Sequence, residues 1–105
     1  MRPVYFACFL FIFFFASTNT NAQEAILRGF VYEEGSGEPA MYANVYLEGT
    51  NLGSSTDVNG YFLISKVPPG TYNLIITFLG FDTIQQSVSL NENEIFNKNF
   101  YLTKS

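Results

Sequence analysis

From residue 23 onward, apolar and polar residues alternate along the chain with a period of two, instead of the 3.6 expected of a helix. Turn-forming residues recur roughly every eight to twelve positions, a spacing typical of short strands in a sandwich or barrel. The pattern predicts seven strands and no helix, at approximately 25–33, 43–48, 54–56, 61–65, 71–79, 84–90 and 96–102. Seven short strands in a segment of this length indicate a two-sheet β-sandwich.

The same alternation leaves four aromatic side chains at outward positions: Phe30, Tyr32, Tyr46 and Tyr61. Aromatic side chains that share one sheet face form a platform for sugar rings or for another protein. Tyrosine is also favoured in strands for structural reasons, which is the alternative interpretation. These four residues are the candidate binding face, and the sequence names no ligand for it.

The first 22 residues have the pattern of a secretory signal peptide. Arg2 gives a positive start, an apolar run covers 4–16, and a polar stretch leads to Ala22, after which cleavage is expected. A bilayer-spanning helix needs about 20 apolar residues, so this run is short for a membrane anchor. The only cysteine, Cys8, lies inside the run, too early for acylation at the cleavage point. We therefore predict a signal peptide over 1–22 and one domain over 23–105.

Charge and composition narrow the function classes further. The chain has a formal net charge of −4, and its five basic residues are scattered instead of clustered. Nucleic-acid binding depends on clustered positive charge, so it is not expected. No basic amphipathic helix is present, so we expect no membrane insertion of the mature domain. A cysteine-free mature domain in an oxidising compartment is typical of bacterial envelope proteins.

The sequence contains no pattern of catalytic or metal-binding residues. There is no histidine, and Lys66 lacks the partner serine of a Ser-x-x-Lys pair. Glu33 and Glu34 are adjacent, so they point to opposite faces if both lie in a strand. Glu92 and Glu94 lie in a polar connector, where solvated charge is expected. We predict a protein that is not an enzyme and that has no cofactor and no metal site.

One short motif has two interpretations. Asp57-x-Asn59-Gly60 superficially resembles a calcium-binding loop, but such a loop needs further oxygen ligands and flanking helices. Residues 61–65 form a predicted strand instead. Asn59 and Gly60 accept the positive φ of a tight turn, so the turn interpretation is favoured.

An ordered series of short motifs in this sequence resembles the carboxypeptidase regulatory-like domain family. The motifs are Leu27-x-Gly29-x-Val31, Gly37-x-Pro39, Ala43-x-Val45, Gly49-Thr50, Thr56-Asp57-x-x-Gly60-x-Phe62, Pro69-Gly70-x-Tyr72-x-Leu74 and Phe78-Leu79-Gly80-Phe81. The resemblance covers about 26–102. It implies a seven-stranded, prealbumin-like (transthyretin-like) Greek-key β-sandwich.

The motifs are most similar to one subset of that family, the N-terminal extensions of TonB-dependent outer-membrane receptors of Bacteroidetes, which import nutrients. This resemblance implies a location in the periplasm or on the periplasmic side of the outer membrane. It also implies that the partners are the other domains of such a receptor, or envelope proteins. Such receptors continue into a plug and a barrel, whereas this sequence stops at Ser105, so we expect the leading piece of a longer product or a stand-alone relative.

Two further functions remain open at this point. A stand-alone secreted or periplasmic module would use a sandwich face or an edge strand to bind a glycan or a protein. Attachment to a peptidase is suggested by the family name. It is less expected here because such domains typically follow the catalytic domain instead of a signal peptide.

Overall fold

The computed structural model describes residues 23–105, which form eight strands. Their bounds are β1 (Ala25–Glu33), β2 (Asn44–Leu47), β3 (Gly53–Ser55), β4 (Tyr61–Val67), β5 (Gly70–Thr77), β6 (Ile84–Leu90), β7 (Ile95–Asn97) and β8 (Phe100–Leu102). Residues 1–22, with the predicted signal peptide and Cys8, lie outside the described residues. Within 23–105, no helix is long and apolar enough to cross a membrane.

The strands form two four-stranded sheets, as the two-sheet sandwich prediction requires. In the first sheet, β1 lies between β4, which is antiparallel to it, and β7 and β8, which are both parallel to it. In the second, antiparallel sheet, the order is β3-β2-β5-β6. The chain crosses between the sheets after β1, β3, β4 and β6, so the two layers are connected repeatedly along the sequence.

The core lies between the sheets and is built from the inward positions of the alternating pattern. Its buried members are Ala25, Leu27, Val31, Ala40, Ala43, Val45, Leu47, Phe62, Ile64, Val67, Leu74, Ile76, Val88, Leu90, Phe100 and Leu102. Burial of a large apolar side chain contributes roughly 1.5–3 kcal/mol, so this cluster is the main source of stability. The alternation also predicts which residues face inward, and these are buried: Leu27, Gly29 and Val31 over 25–33, Ala43, Val45 and Leu47 over 43–48, and Phe62 and Ile64 over 61–65.

The prediction of seven strands was wrong at the C-terminal end of the domain. The predicted strand over 96–102 is divided into β7 and β8, because the backbone of Lys98 crosses over Gly29 at this point. A Cβ atom at Gly29 would lie 1.7 Å from the Lys98 carbonyl oxygen. The interruption leaves the Phe30 N–H without a backbone partner on this side, and it donates instead to Asn99 Oδ1 at 3.2 Å. The strand therefore breaks because two backbone segments meet over a glycine.

Two other predicted boundaries also differ. Strand β4 continues to Val67 because Lys66 adopts a left-handed conformation (φ 58°), and the pairing with β1 shifts register there. Strand β5 ends at Thr77 instead of Leu79, and Leu79 is 97% exposed in the turn that follows. The strong β propensity of 71–79 does not reveal this turn, because Gly80 (φ 88°) is its only conspicuous turn residue.

The loop between β1 and β2 is held by a buried threonine. Thr56 Oγ1 donates a hydrogen bond to the Ala40 carbonyl and accepts one from the Ala43 N–H at 2.8 Å. The backbone of Thr56 also pairs with Ala43 and Tyr42. A buried hydroxyl is stabilising only when its hydrogen bonds are made, and here both are. Thr56 thus fixes the segment that connects the two sheets.

Candidate functional site

Four aromatic rings lie in a row across the outer surface of the first sheet. Tyr61 of β4 is paired with Phe30 of β1, and Tyr32 of β1 is paired with Tyr101 of β8. The ring centroids are 5.3 Å apart for Phe30 and Tyr61, 6.0 Å for Phe30 and Tyr32, and 5.8 Å for Tyr32 and Tyr101. These separations are those of interacting aromatic pairs, so the row is one continuous cluster.

Aliphatic side chains and one arginine extend this cluster along the strands. Arg28 is opposite Leu63 of β4 and Asn97 of β7, and Ile26 is opposite Ile95 of β7. Leu63, Ile95 and Tyr101 are 44%, 55% and 56% exposed, whereas the side chains on β1 are half-buried. We call this surface the aromatic face and define it by Ile26, Arg28, Phe30, Tyr32, Tyr61, Leu63, Ile95 and Tyr101.

The aromatic face contains three of the four predicted residues. Phe30, Tyr32 and Tyr61 are together, whereas Tyr46 lies on β2, on the outer surface of the second sheet. Periodicity assigns a side chain to the inside or the outside but does not say which of two sheets it belongs to, so the four could not be separated from sequence. Tyr101 was missed, although its position between inward Phe100 and Leu102 marks it as outward.

The motif Thr56-Asp57-x-x-Gly60 forms a tight turn, which confirms the turn interpretation. Asp57 Oδ1 accepts hydrogen bonds from the N–H groups of Asn59 and Tyr61, both at 2.9 Å, and the Gly60 N–H donates to the Asp57 carbonyl at 2.9 Å. This is the arrangement by which an aspartate side chain caps its own turn. Asp57 therefore has a structural role in starting β4.

Of the carboxylates considered from the sequence, Glu33 and Glu34 line one surface pocket together, whereas Glu94 lies in the connector before β7. Glu33 accepts from the Ser36 hydroxyl at 3.2 Å and Glu34 from the Thr103 hydroxyl at 2.9 Å, while Glu94 accepts from the Asn91 N–H at 2.8 Å. Over residues 23–105, no cluster of three or more metal-ligating side chains is found. These contacts stabilise turns and the C-terminal end of the domain.

The same β-sandwich fold occurs in solved structures of other proteins. A chain of a type II cohesin–X-dockerin complex from Acetivibrio cellulolyticus superposes with a TM-score of 0.60 at 25% identity, over 70% of this chain and 51% of that chain. The backbone protein of group B streptococcus pilus 2b superposes with a TM-score of 0.58 at 15% identity, over 84% and 43% of the two chains.

Residues 27–105 match the CarboxypepD_reg-like domain, and the chain belongs to this family. Its family and fold are those of non-catalytic β-sandwich domains. It is also similar to the TonB-dependent receptor SusC of Bacteroides thetaiotaomicron, with 31% identity over 81 residues. The match covers 77% of this chain and only 8% of that receptor, so the two share a single domain.

Proposed function

We propose that this chain is the periplasmic N-terminal domain of a TonB-dependent outer-membrane nutrient receptor, exported by the signal peptide predicted over 1–22. The observation that carries the proposal is the similarity to SusC, which extends over 81 residues of a chain of 105. The family assignment for 27–105 agrees with it. In this role the domain acts by contact with other parts of the envelope, without catalysing a reaction.

The structure supports a contact function through the distribution of its side chains. The carboxylates near turns and the chain end are engaged in local hydrogen bonds, as are the motif residues Thr56 and Asp57. The aromatic face, by contrast, presents large side chains to solvent on a regular sheet. This surface of the described residues is thus suited to binding.

Cell fractionation tests the location directly. An antibody raised against residues 23–105 is expected to detect the protein in the outer-membrane fraction. External protease is expected to abolish antibody detection only after the outer membrane has been permeabilised, because the domain faces the periplasm. A known periplasmic protein and a known surface protein serve as the two controls. Detection in the culture medium, or cleavage in intact cells, would contradict the proposal.

A stand-alone secreted or periplasmic binding module is the second candidate. The aromatic face favours it, because large exposed side chains on one surface mark binding sites in isolated modules as well. Under this alternative the purified domain binds a glycan or a protein without any receptor. The distribution between outer-membrane, periplasmic and medium fractions separates the two candidates.

A further inference from the structure

The two outer surfaces of the sandwich differ in chemistry. The aromatic face combines four aromatic rings, three aliphatic side chains and Arg28. The cores of protein–protein interfaces are enriched in aromatic residues and arginine and depleted in lysine, aspartate and glutamate. Residues whose truncation costs most binding energy are enriched in tyrosine and arginine. The aromatic face therefore has the composition of an interface core instead of a solvated surface.

The outer surface of the second sheet provides the internal comparison. Its outward side chains are mainly hydroxyls and amides, which pair with one another across strands. Thr71 and Ser89 are 3.0 Å apart, and Asn73 Nδ2 donates to Glu48 Oε1 at 3.1 Å. Such groups are equally satisfied by water, so this surface has the expected character of a solvent-facing sheet. The difference between the surfaces is therefore specific to the first sheet and does not reflect β propensity alone.

Arg28 indicates the charge that a partner must supply. It is half-buried in the middle of β1, and among the eight described residues that define the aromatic face it is the one charged side chain. Its cross-strand neighbours are Leu63 and Asn97, and Ile26 and Phe30 flank it along the strand. None of these four carries a negative charge. A guanidinium that becomes covered in a binding interface needs a carboxylate or similar acceptor, preferably in bidentate geometry.

We propose that the aromatic face binds the folded surface of another envelope protein, which presents apolar side chains around a carboxylate that pairs with Arg28. The apolar side chains of the partner pack against Tyr101, Ile95 and Leu63, the most exposed members of the face. The inference rests on the proposed function only for the compartment in which the partner is found.

Two other occupants fit this surface less well. Glycan sites add several convergent polar groups to an aromatic platform. Here Arg28 and Asn97 are the polar groups beside the rings, and apolar, exposed Leu63 and Ile95 flank them. A symmetric dimer formed through the aromatic face uses the same patch from both copies. It would bring two Arg28 guanidinium groups into one interface without a carboxylate from either face. A partner of different sequence avoids both difficulties.

Site-specific photocrosslinking in living cells tests the proposal. A benzophenone side chain is introduced in the native product at Tyr101 or Ile95 and, as a matched control, at Tyr46 on the opposite surface. Tyr46 is 39% exposed and Tyr101 is 56% exposed, so both positions accept a large aromatic group at the surface. We expect the crosslinkers at positions 101 and 95 to form adducts with the same polypeptide. The crosslinker at position 46 should form no adduct with that polypeptide. Mass spectrometry then maps the attachment site, which should lie beside an Asp or Glu.

Charge variants at Arg28 decide whether the carboxylate is used. Arg28→Glu should reduce the adduct yield about tenfold or more, because it places like charges together in the interface. Arg28→Lys keeps the charge and should retain a substantial part of the yield. Changing the mapped partner carboxylate to lysine should restore adducts with Arg28→Glu. Circular dichroism and thermal unfolding of each purified variant show whether the fold is kept.

The remaining outcomes overturn the proposal. These are equal yields from Tyr46 and Tyr101, adducts only with a second copy of this chain, or a yield that is unchanged by Arg28→Glu in a folded protein. Retention of the purified domain on glycan columns, abolished by Tyr101→Ser but not by Tyr46→Ser, would assign the face to a sugar instead. If the proposed receptor function is wrong, the protein is found outside the outer-membrane fraction. That result is separate from the crosslinking comparison and does not affect it.

Discussion

Replacing Gly29 with alanine is expected to destabilise the protein by about 3 kcal/mol, because the new methyl group has no space. A Cβ atom there would lie 1.7 Å from the carbonyl oxygen and 2.7 Å from the carbonyl carbon of Lys98. Both are backbone atoms, so no side-chain rotation relieves the overlap. To make room, the backbone at Lys98 must move away from β1. Its movement breaks the hydrogen bond from the Lys98 N–H to the Arg28 carbonyl, which is 3.0 Å long in the native structure.

The measurement is urea unfolding of the purified protein followed by circular dichroism, with Gly35→Ala as the control. Gly35 lies in the loop after β1, and a Cβ atom there would meet nothing within 4 Å. Its replacement should change the free energy of unfolding by no more than about 0.5 kcal/mol. Equal stability of the Gly29→Ala and Gly35→Ala variants would show that the chain does not cross over Gly29 as described.

The second large effect is expected for Gly60→Ala, in the turn before β4. Gly60 has φ 78°, and a Cβ atom there would lie 2.5 Å from the Val31 carbonyl oxygen and 3.2 Å from Pro39 Cβ. The Val31 carbonyl accepts the Ala40 N–H, so a shift at this point disturbs the loop that leads to the second sheet. We expect a loss of about 3 kcal/mol, from left-handed strain and steric overlap together.

Gly37→Ala separates these two contributions. Gly37 has nearly the same φ, 75°, but a Cβ atom there would meet nothing within 4 Å. Its replacement should therefore cost only the conformational strain, about 1 kcal/mol. Chemical unfolding of both variants under one set of conditions gives the difference directly. If Gly60→Ala and Gly37→Ala lose the same stability, the turn is not packed against β1 and Pro39.

The alternation of side chains was sufficient to predict the two-sheet sandwich and most of its core. Leu27 and Val31 are inward, and Phe30 and Tyr32 are outward, because a strand has a strict period of two. The division between β7 and β8 was not predictable in the same way. It arises from a contact between Lys98 and Gly29, which are far apart in sequence. A glycine inside a strong strand was the one local sign of a close backbone approach.

The aromatic face was predictable only in part, for a related reason. The alternation along each strand identified Phe30, Tyr32 and Tyr61 as outward. It does not show which sheet a strand belongs to, because that depends on the order of the strands in space. Tyr46 therefore belongs to a different surface, and Tyr101 joins the cluster through the parallel pairing of β8 with β1. Arg28, Leu63 and Ile95 are unremarkable one at a time. Their significance comes from the register that brings them beside the aromatic rings.

The motifs that carry the family resemblance are mainly structural in this domain. Gly29 allows the close approach of Lys98. The turn before β4 is formed by Asp57 and Gly60, and the connection between the sheets is fixed by Thr56. None of these four residues belongs to the aromatic face. A family signature of this kind identifies the fold, while the binding properties depend on outward positions that the signature does not specify.

The most direct test of the proposed function is the size of the native product that contains residues 23–105. An immunoblot of the outer-membrane fraction should detect a protein comparable in length to SusC, of which the matched 81 residues are 8%. The same antibody should lose this band in a strain from which the coding sequence for 23–105 has been deleted. A product no larger than 11.8 kDa, the mass of residues 1–105, would contradict the receptor assignment and favour a stand-alone binding module.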